Sequence, residues 1–279
     1  MSKKLQFLNG GSCLLQLVLC ILILVWVLRK DKEEPPFDFS VGEYDGIEND
    51  CNALSSPTLS TIAWILVGFT AITAVIHGIY ALNLPFYVRA VARGNNWVRW
   101  LEYSVTATLM IVAIALLSGV SELDALILIA VCSSGTMLLG DTTERALIAG
   151  SKSAAVSATI TGWILLIGAF SVIIRCFFRS INREDPDTPE PPAIVQYIVF
   201  VMFGLFSCFG GIQLFRNVIP NKISPARYNR NTEALYSIFS MIAKSALVLM
   251  VYGGLLGISS SEPTLEEVEG TELTGPTGI

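Results

Sequence analysis

Lys244 is the residue whose chemistry most needs an explanation. It sits in the middle of the last long apolar stretch, SIFSMIAKSALVLMVYGG, and is the only lysine so placed. A charge at the centre of a bilayer costs about 2.5–3.5 kcal/mol even on lenient insertion scales, so an ionisable group there needs an escape route or a task. A desolvated amine can act as a nucleophile and condense with an aldehyde. If the product is a protonated imine, the fixed cation demands an anion nearby. Glu102, in WVRWLEYSVTATLM, is the best candidate, because no other carboxylate reads as lying well inside an apolar stretch. Two plainer readings stand beside this one: a ligand-free Lys244/Glu102 bridge, and a bridge from Glu102 to Arg99, three residues earlier on the same helical face.

The other polar residues are less specific. His77, the single histidine, lies in AVIHGIY and is either a hydrogen-bonded packing residue or a proton relay. Ser240 precedes Lys244 by one helical turn and Thr106 follows Glu102 by one. Helical serines and threonines usually bond their own backbone, so both gain meaning only once the pair is accepted. Arg99, Asp141, Lys152, Arg175 and Glu190 fall near the ends of apolar stretches, where they can snorkel or meet headgroups.

These residues need a membrane scaffold to position them. The 279 residues are 53% hydrophobic and 15% charged, with mean hydropathy +0.61 and net charge -5, a balance far too apolar for an ordinary soluble domain. A membrane-crossing helix takes roughly 20 apolar residues, and seven such spans are expected at about 8–28, 60–84, 97–119, 122–142, 153–178, 191–215 and 232–257. Pro57, Pro85, Pro191, Pro192, Pro220 and Pro225 punctuate the connections. The first span lacks a small-residue cleavage site and reads as a retained helix. The expected architecture is an all-α, seven-transmembrane-helix bundle over residues 1–258, a multi-pass protein of the cell membrane, followed by an acidic tail at 259–279.

Cytoplasmic loops are enriched in Lys and Arg. Eleven such residues fall on the N-terminal side of the spans and six on the other, which predicts a cytoplasmic N-terminus, an extracellular C-terminus, an extracellular loop at 29–59 and an extracellular, disordered tail. The third and seventh spans then run in the same direction, and the expected boundaries put Glu102 nearer the cytoplasmic end than Lys244 by roughly 10 Å. A long lysine leaning toward that end closes much of the gap. The acidic charge, gathered in residues 31–50 and in the tail, argues against nucleic acid. Five of six cysteines lie in apolar segments without metal-binding spacing, and no catalytic constellation marks an enzyme.

Three motifs carry a resemblance: RWLEYS (Arg99 to Ser104), GVSELDALILI (Gly119 to Ile129) and SMIAKSAL (Ser240 to Leu247). The chain resembles the heliorhodopsins, inverted relatives of the microbial rhodopsins, over all seven spans. The resemblance implies all-trans retinal held by Lys244 as a Schiff base, Glu102 as its counterion and Ser240 hydrogen-bonding nearby. It also implies a cytoplasmic-side polar cluster around His77, to which Gln16 and Arg99 are assigned, and pocket positions at Phe206 and Gln213. Tyr103 and Trp163 are either pocket aromatics or core packing. Three positions depart from the family pattern: Gln16 stands where a histidine is common, Ser133 where asparagine is expected and Leu249 where tryptophan is expected.

A proton pump needs an acceptor carboxylate on one side of the imine and usually a reprotonating acid on the other. The sequence offers only Glu102, which favours a light sensor signalling to a cytoplasmic protein through the basic loops between Arg216 and Arg230. The alternative is a light-gated passive proton or ion conductance fed through Glu190. The resemblance further implies a homodimer.

Overall fold

In the computed structural model the described residues are 3–29, 59–120, 122–182, 192–218 and 224–256. Eight α-helices occur among them: α1 (Lys3–Arg29), α2 (Leu59–Ala81), α3 (Pro85–Arg93), α4 (Trp97–Leu117), α5 (Leu123–Ile148), α6 (Lys152–Ile181), α7 (Ala193–Val218) and α8 (Pro225–Val251). All except the nine-residue α3 are long and apolar enough to cross a membrane, and α8 closes in a π-helical turn, Tyr252–Leu256. The expected loop at 29–59 beyond Arg29 and before Leu59, the tail at 259–279 and Glu190 lie outside the described residues.

Seven crossings make the starts of α1, α4, α6 and α8 and the ends of α2, α5 and α7 share one face, here termed the N-terminal face. The bundle's outer surface is apolar: Leu14, Trp64, Ile127, Val131 and Ile164 are exposed, as lipid-facing helices require. The helix at the centre is α4. Of its most apolar window 72% is buried, against 28–44% in the other six spans, so α4 can present ionisable side chains away from lipid. Around it Ile23, Ile62, Leu66, Ile111, Ile114, Leu117 and Phe170 form a closed core.

Two helix ends differ from the sequence expectation for the same reason. Helix α5 continues past residue 142 to Ile148, and α8 begins at Pro225 rather than 232. The added turns are polar and read as loop, yet the one on α5 buries Glu144 against α4, and the one on α8 leads into Thr232 and Glu233, buried at the expected start of that span. Pro85 likewise does more than stop α2. After a turn with Asn83 at φ 61°, it opens α3, supplying the first-turn residue whose missing N–H costs nothing. That short helix buries Tyr87 and Val91 and exposes Arg89 and Arg93. Gly94, at φ 83°, closes it by donating to the Ala90 and Val91 carbonyls, a left-handed cap that an L side chain resists. Asn96 then caps α4, its side chain accepting from the Arg99 N–H.

At the N-terminal face four buried charges lock α4, α5, α7 and α8 together. Arg99 pairs with Glu144 at 2.6 Å and with Glu233, while Arg216 also pairs with Glu144. The group is electrically balanced, and Trp100 Nε1 (2.8 Å, to Glu144) and Asn96 Nδ2 (2.7 Å, to Glu233) supply further donors. Arg99 therefore does not snorkel, as its position in sequence suggests, because paired carboxylates on two neighbouring helices remove the need for water. Removing one partner of such a group strands the others. Glu144→Gln is expected to cost about 3–5 kcal/mol, while Arg145→Ala, which breaks only the exposed Asp141–Arg145 pair, should cost under about 1 kcal/mol. Thermal unfolding of the two variants in one detergent checks the contrast.

Candidate functional site

The site is assembled between α4 and α8. Lys244, 3% exposed, donates from Nζ to Glu102 Oε1, and Glu102 is 4% exposed. Along α8 this pair lies eleven residues beyond the Glu233 contact to Arg99, but along α4 only three. The long Lys244 and Arg99 side chains lean toward the starts of their helices and take up much of that difference. Glu102 and Arg99, offered by their spacing as an ion pair, take different partners.

Helix α2 contributes a residue that sequence reasoning missed. Thr73 Oγ1 donates to Glu102 Oε1 at 3.0 Å. Thr106 makes the expected backbone bond to the Glu102 carbonyl at 3.0 Å and also lies 3.4 Å from Glu102 Oε1. Tyr103 stands under the ammonium, its ring centroid 5.2 Å from Lys244 Nζ, with its hydroxyl fixed by the Tyr236 carbonyl at 3.0 Å. Ser240 Oγ and Glu102 Oε2 are both buried, and neither makes a close hydrogen bond among the described residues.

Beside Lys244 a narrow apolar cavity is lined by Tyr103, Thr106, Met110, Met137, Phe206, Phe209 and Ser240. A second shares Met137, Phe206 and Phe209 with it and reaches Trp163, Gly210 and Gln213 between α5, α6 and α7. Phe206 thus faces both spaces, and Gln213 lines the far one while donating to the Gly140 carbonyl at 3.1 Å. Gly210 has no room for a side chain, since a Cβ would stand 2.6 Å from the Trp163 ring, and a Cβ on Gly140 would overlap Trp100. The two rings therefore form walls seated on glycine. Ser133 is buried, with no hydrogen-bond partner for its hydroxyl among the described residues, whereas Leu249 is 56% exposed and faces outward. The Leu249 departure leaves the cavity wall untouched.

The residues assigned to a polar cluster separate into two places. His77 Nδ1 meets Asn9 Oδ1 at 2.9 Å, Asn9 Nδ2 donates to Tyr87 Oη at 3.0 Å, and Tyr87 donates to Glu233 at 3.4 Å. This chain ends at the four-charge group containing Arg99. Gln16 instead donates to Ser245 at 3.2 Å, joining α1 to α8 next to Lys244. Gln16 and Arg99 are thus not direct partners of His77: the Asn9 amide reaches the imidazole first. Asn9, Ser12 and Gln16 are fully buried, and their spacing of three and four residues was the available sequence signal for a polar stripe on α1. Glu144 and Glu233 had no such signal, because proximity to span ends reads as solvation.

The family model for heliorhodopsin matches residues 5–256. The chain belongs to the heliorhodopsin family. It is accordingly a retinal-binding, rhodopsin-like light-sensing protein and a multi-pass integral protein of the cell membrane. No curated protein matches the sequence. The residues present fit the family's chromophore. An amine lines one of two adjoining apolar cavities, the Gly140 and Gly210 positions leave room for the Trp100 and Trp163 rings that wall the other, and the buried Ser240 hydroxyl lines the same cavity as the amine. Gly210→Val should push Trp163 into the cavity, shift or abolish the visible band formed with retinal, and lower stability by about 1–3 kcal/mol. Spectra and unfolding of the purified variant measure both effects.

Proposed function

We propose that Lys244 carries all-trans retinal as a protonated Schiff base, that Glu102 is its counterion, and that the protein is a light sensor rather than a pump. The observation that carries this reading is the buried Lys244–Glu102 pair at one end of an apolar cavity. Retinal, when bound, supplies light absorption and photoisomerisation. The chain's own residues do the remainder. Glu102 neutralises the cation, Thr73 and Thr106 orient the carboxylate, Tyr103 offers its ring face to the positive charge, and the apolar walls exclude water. Phe206, Gln213 and Trp163 shape the distal end.

Against pumping, Glu144 and Glu233, the further carboxylates buried within the described spans, are each held by arginine. Neither is a free acid suited to reprotonating Lys244. The same group ties four helices together, so a sensor whose signal is a helix rearrangement would act through it. With the N-terminus cytoplasmic, as the Lys/Arg bias supports, that group lies at the cytoplasmic face beside the basic segment between Arg216 and Arg230. A cytoplasmic protein docking there is the proposed recipient, and a homodimer the proposed assembly.

Expression with all-trans retinal should give a visible absorption band that Lys244→Ala abolishes. A band retained in Lys244→Ala removes the lysine from the role. Under voltage clamp, illumination should evoke no current. A current that reverses at the proton equilibrium potential and falls in Glu190→Gln would replace the sensor by a light-gated conductance.

A further inference from the structure

The chain His77–Asn9–Tyr87–Glu233 has a direction, and that direction decides which nitrogen of the lone histidine carries a proton. Its far end is fixed. Glu233 faces the Arg99 guanidinium and also accepts from Asn96 Nδ2, and a carboxylate can only accept. The Tyr87 hydroxyl is therefore a donor toward Glu233. Burial, reinforced by the Glu233 charge, pushes the Tyr87 phenol above its ordinary range and keeps that proton in place.

With its own proton committed, the Tyr87 oxygen takes a hydrogen bond from Asn9, so the Asn9 Nδ2 amide nitrogen points at Tyr87 and Oδ1 at His77. An amide oxygen has no proton to give. His77 Nδ1 must supply it, leaving Nε2 without a proton in the neutral ring. An amide link of this kind orients the ring without passing a proton along it.

We propose that Asn9, Tyr87 and Glu233 are positioning residues that hold His77 in the Nδ1–H tautomer and so make Nε2 the nitrogen open to a proton. This is the logic by which a carboxylate behind a histidine fixes the opposite ring nitrogen for chemistry. The placement connects to the chromophore site. His77 lies one turn after Thr73 on α2, and Thr73 holds Glu102. The inference rests on the light-sensor reading and deepens it in one respect: it specifies which nitrogen of the lone histidine, one turn from the Thr73 that holds Glu102, is open to a proton.

Because the chain has one histidine, ¹⁵N-histidine labelling of the full protein in lipid, freed of any affinity tag, reports His77 alone. Solid-state NMR in the dark should show one protonated nitrogen, assigned to Nδ1, and one unprotonated nitrogen, Nε2. Tyr87→Phe removes the hydroxyl between Asn9 and Glu233, and Glu233→Gln gives the chain's end a donor. Either change frees the Asn9 amide to turn and should move the population toward Nε2–H. Tyr87→Phe leaves the Arg99–Glu233 pair intact, so it keeps the test available if Glu233→Gln does not fold. A wild-type ring with its proton on Nε2, or with both nitrogens protonated, overturns the proposal, as does an unchanged tautomer in the folded variants. The visible band is recorded on the same samples. Its absence together with the Nδ1–H signal would reject the retinal assignment and leave this inference standing.

Discussion

A positive charge in a low-dielectric interior must be neutralised where it stands, and the placement of Lys244 imposes that requirement on the whole bundle. The lysine is too far from either end of α8 to reach water, so a carboxylate has to come to it from a neighbouring helix. Only a helix shielded from lipid on nearly all sides can present one without a second penalty. That is the role of α4, the most buried span, and it explains why Glu102, Thr106 and Tyr103 all face Lys244 from one helix while α2 contributes Thr73. The apolar cavity beside the pair follows from the same arrangement, with glycine on α5 and α7 making space for tryptophan walls.

The second charged layer, at the N-terminal face, obeys the same rule with two cations and two anions. Its geometry differs in consequence. The Lys244–Glu102 pair joins two helices, whereas the Arg99, Glu144, Arg216 and Glu233 group joins four. Between the layers, α1 and α3 supply the neutral polar links, Asn9 and Tyr87, that run from His77 to Glu233. A change of charge at Lys244 is thus made in a bundle whose other buried charges are already balanced and held by hydrogen bonds.

Much of this was legible in the sequence, and the failures have physical causes. The seven spans followed from hydropathy, and Lys244 and Glu102 stood out because a mid-span charge is costly wherever it occurs. The vertical offset between them was smaller in effect than helix counting implied, since lysine is long and leans toward the start of its helix. Arg99 read as a span-end charge able to snorkel, and Glu144 and Glu233 carried no signal of burial, because a hydropathy profile scores each residue alone and cannot register three helices bringing complementary charges together. Gln16 was grouped with His77 through the family pattern. In the fold the Asn9 amide occupies the position next to the imidazole, and Gln16 turns to Ser245. Ser240 shares the face of Lys244 as expected, but its hydroxyl is open to the cavity.

The central claim is that Glu102 is the anion that balances a chromophore-bearing Lys244. The most direct test is the visible absorption spectrum of Glu102→Gln with all-trans retinal at neutral pH, compared with the unsubstituted protein. Removing the anion destabilises the ground state, in which positive charge is localised at the Lys244 nitrogen, more than the excited state, in which it is spread along the polyene. The Glu102→Gln band should therefore be red-shifted. A band at an unchanged wavelength would contradict it and assign the counterion to another group.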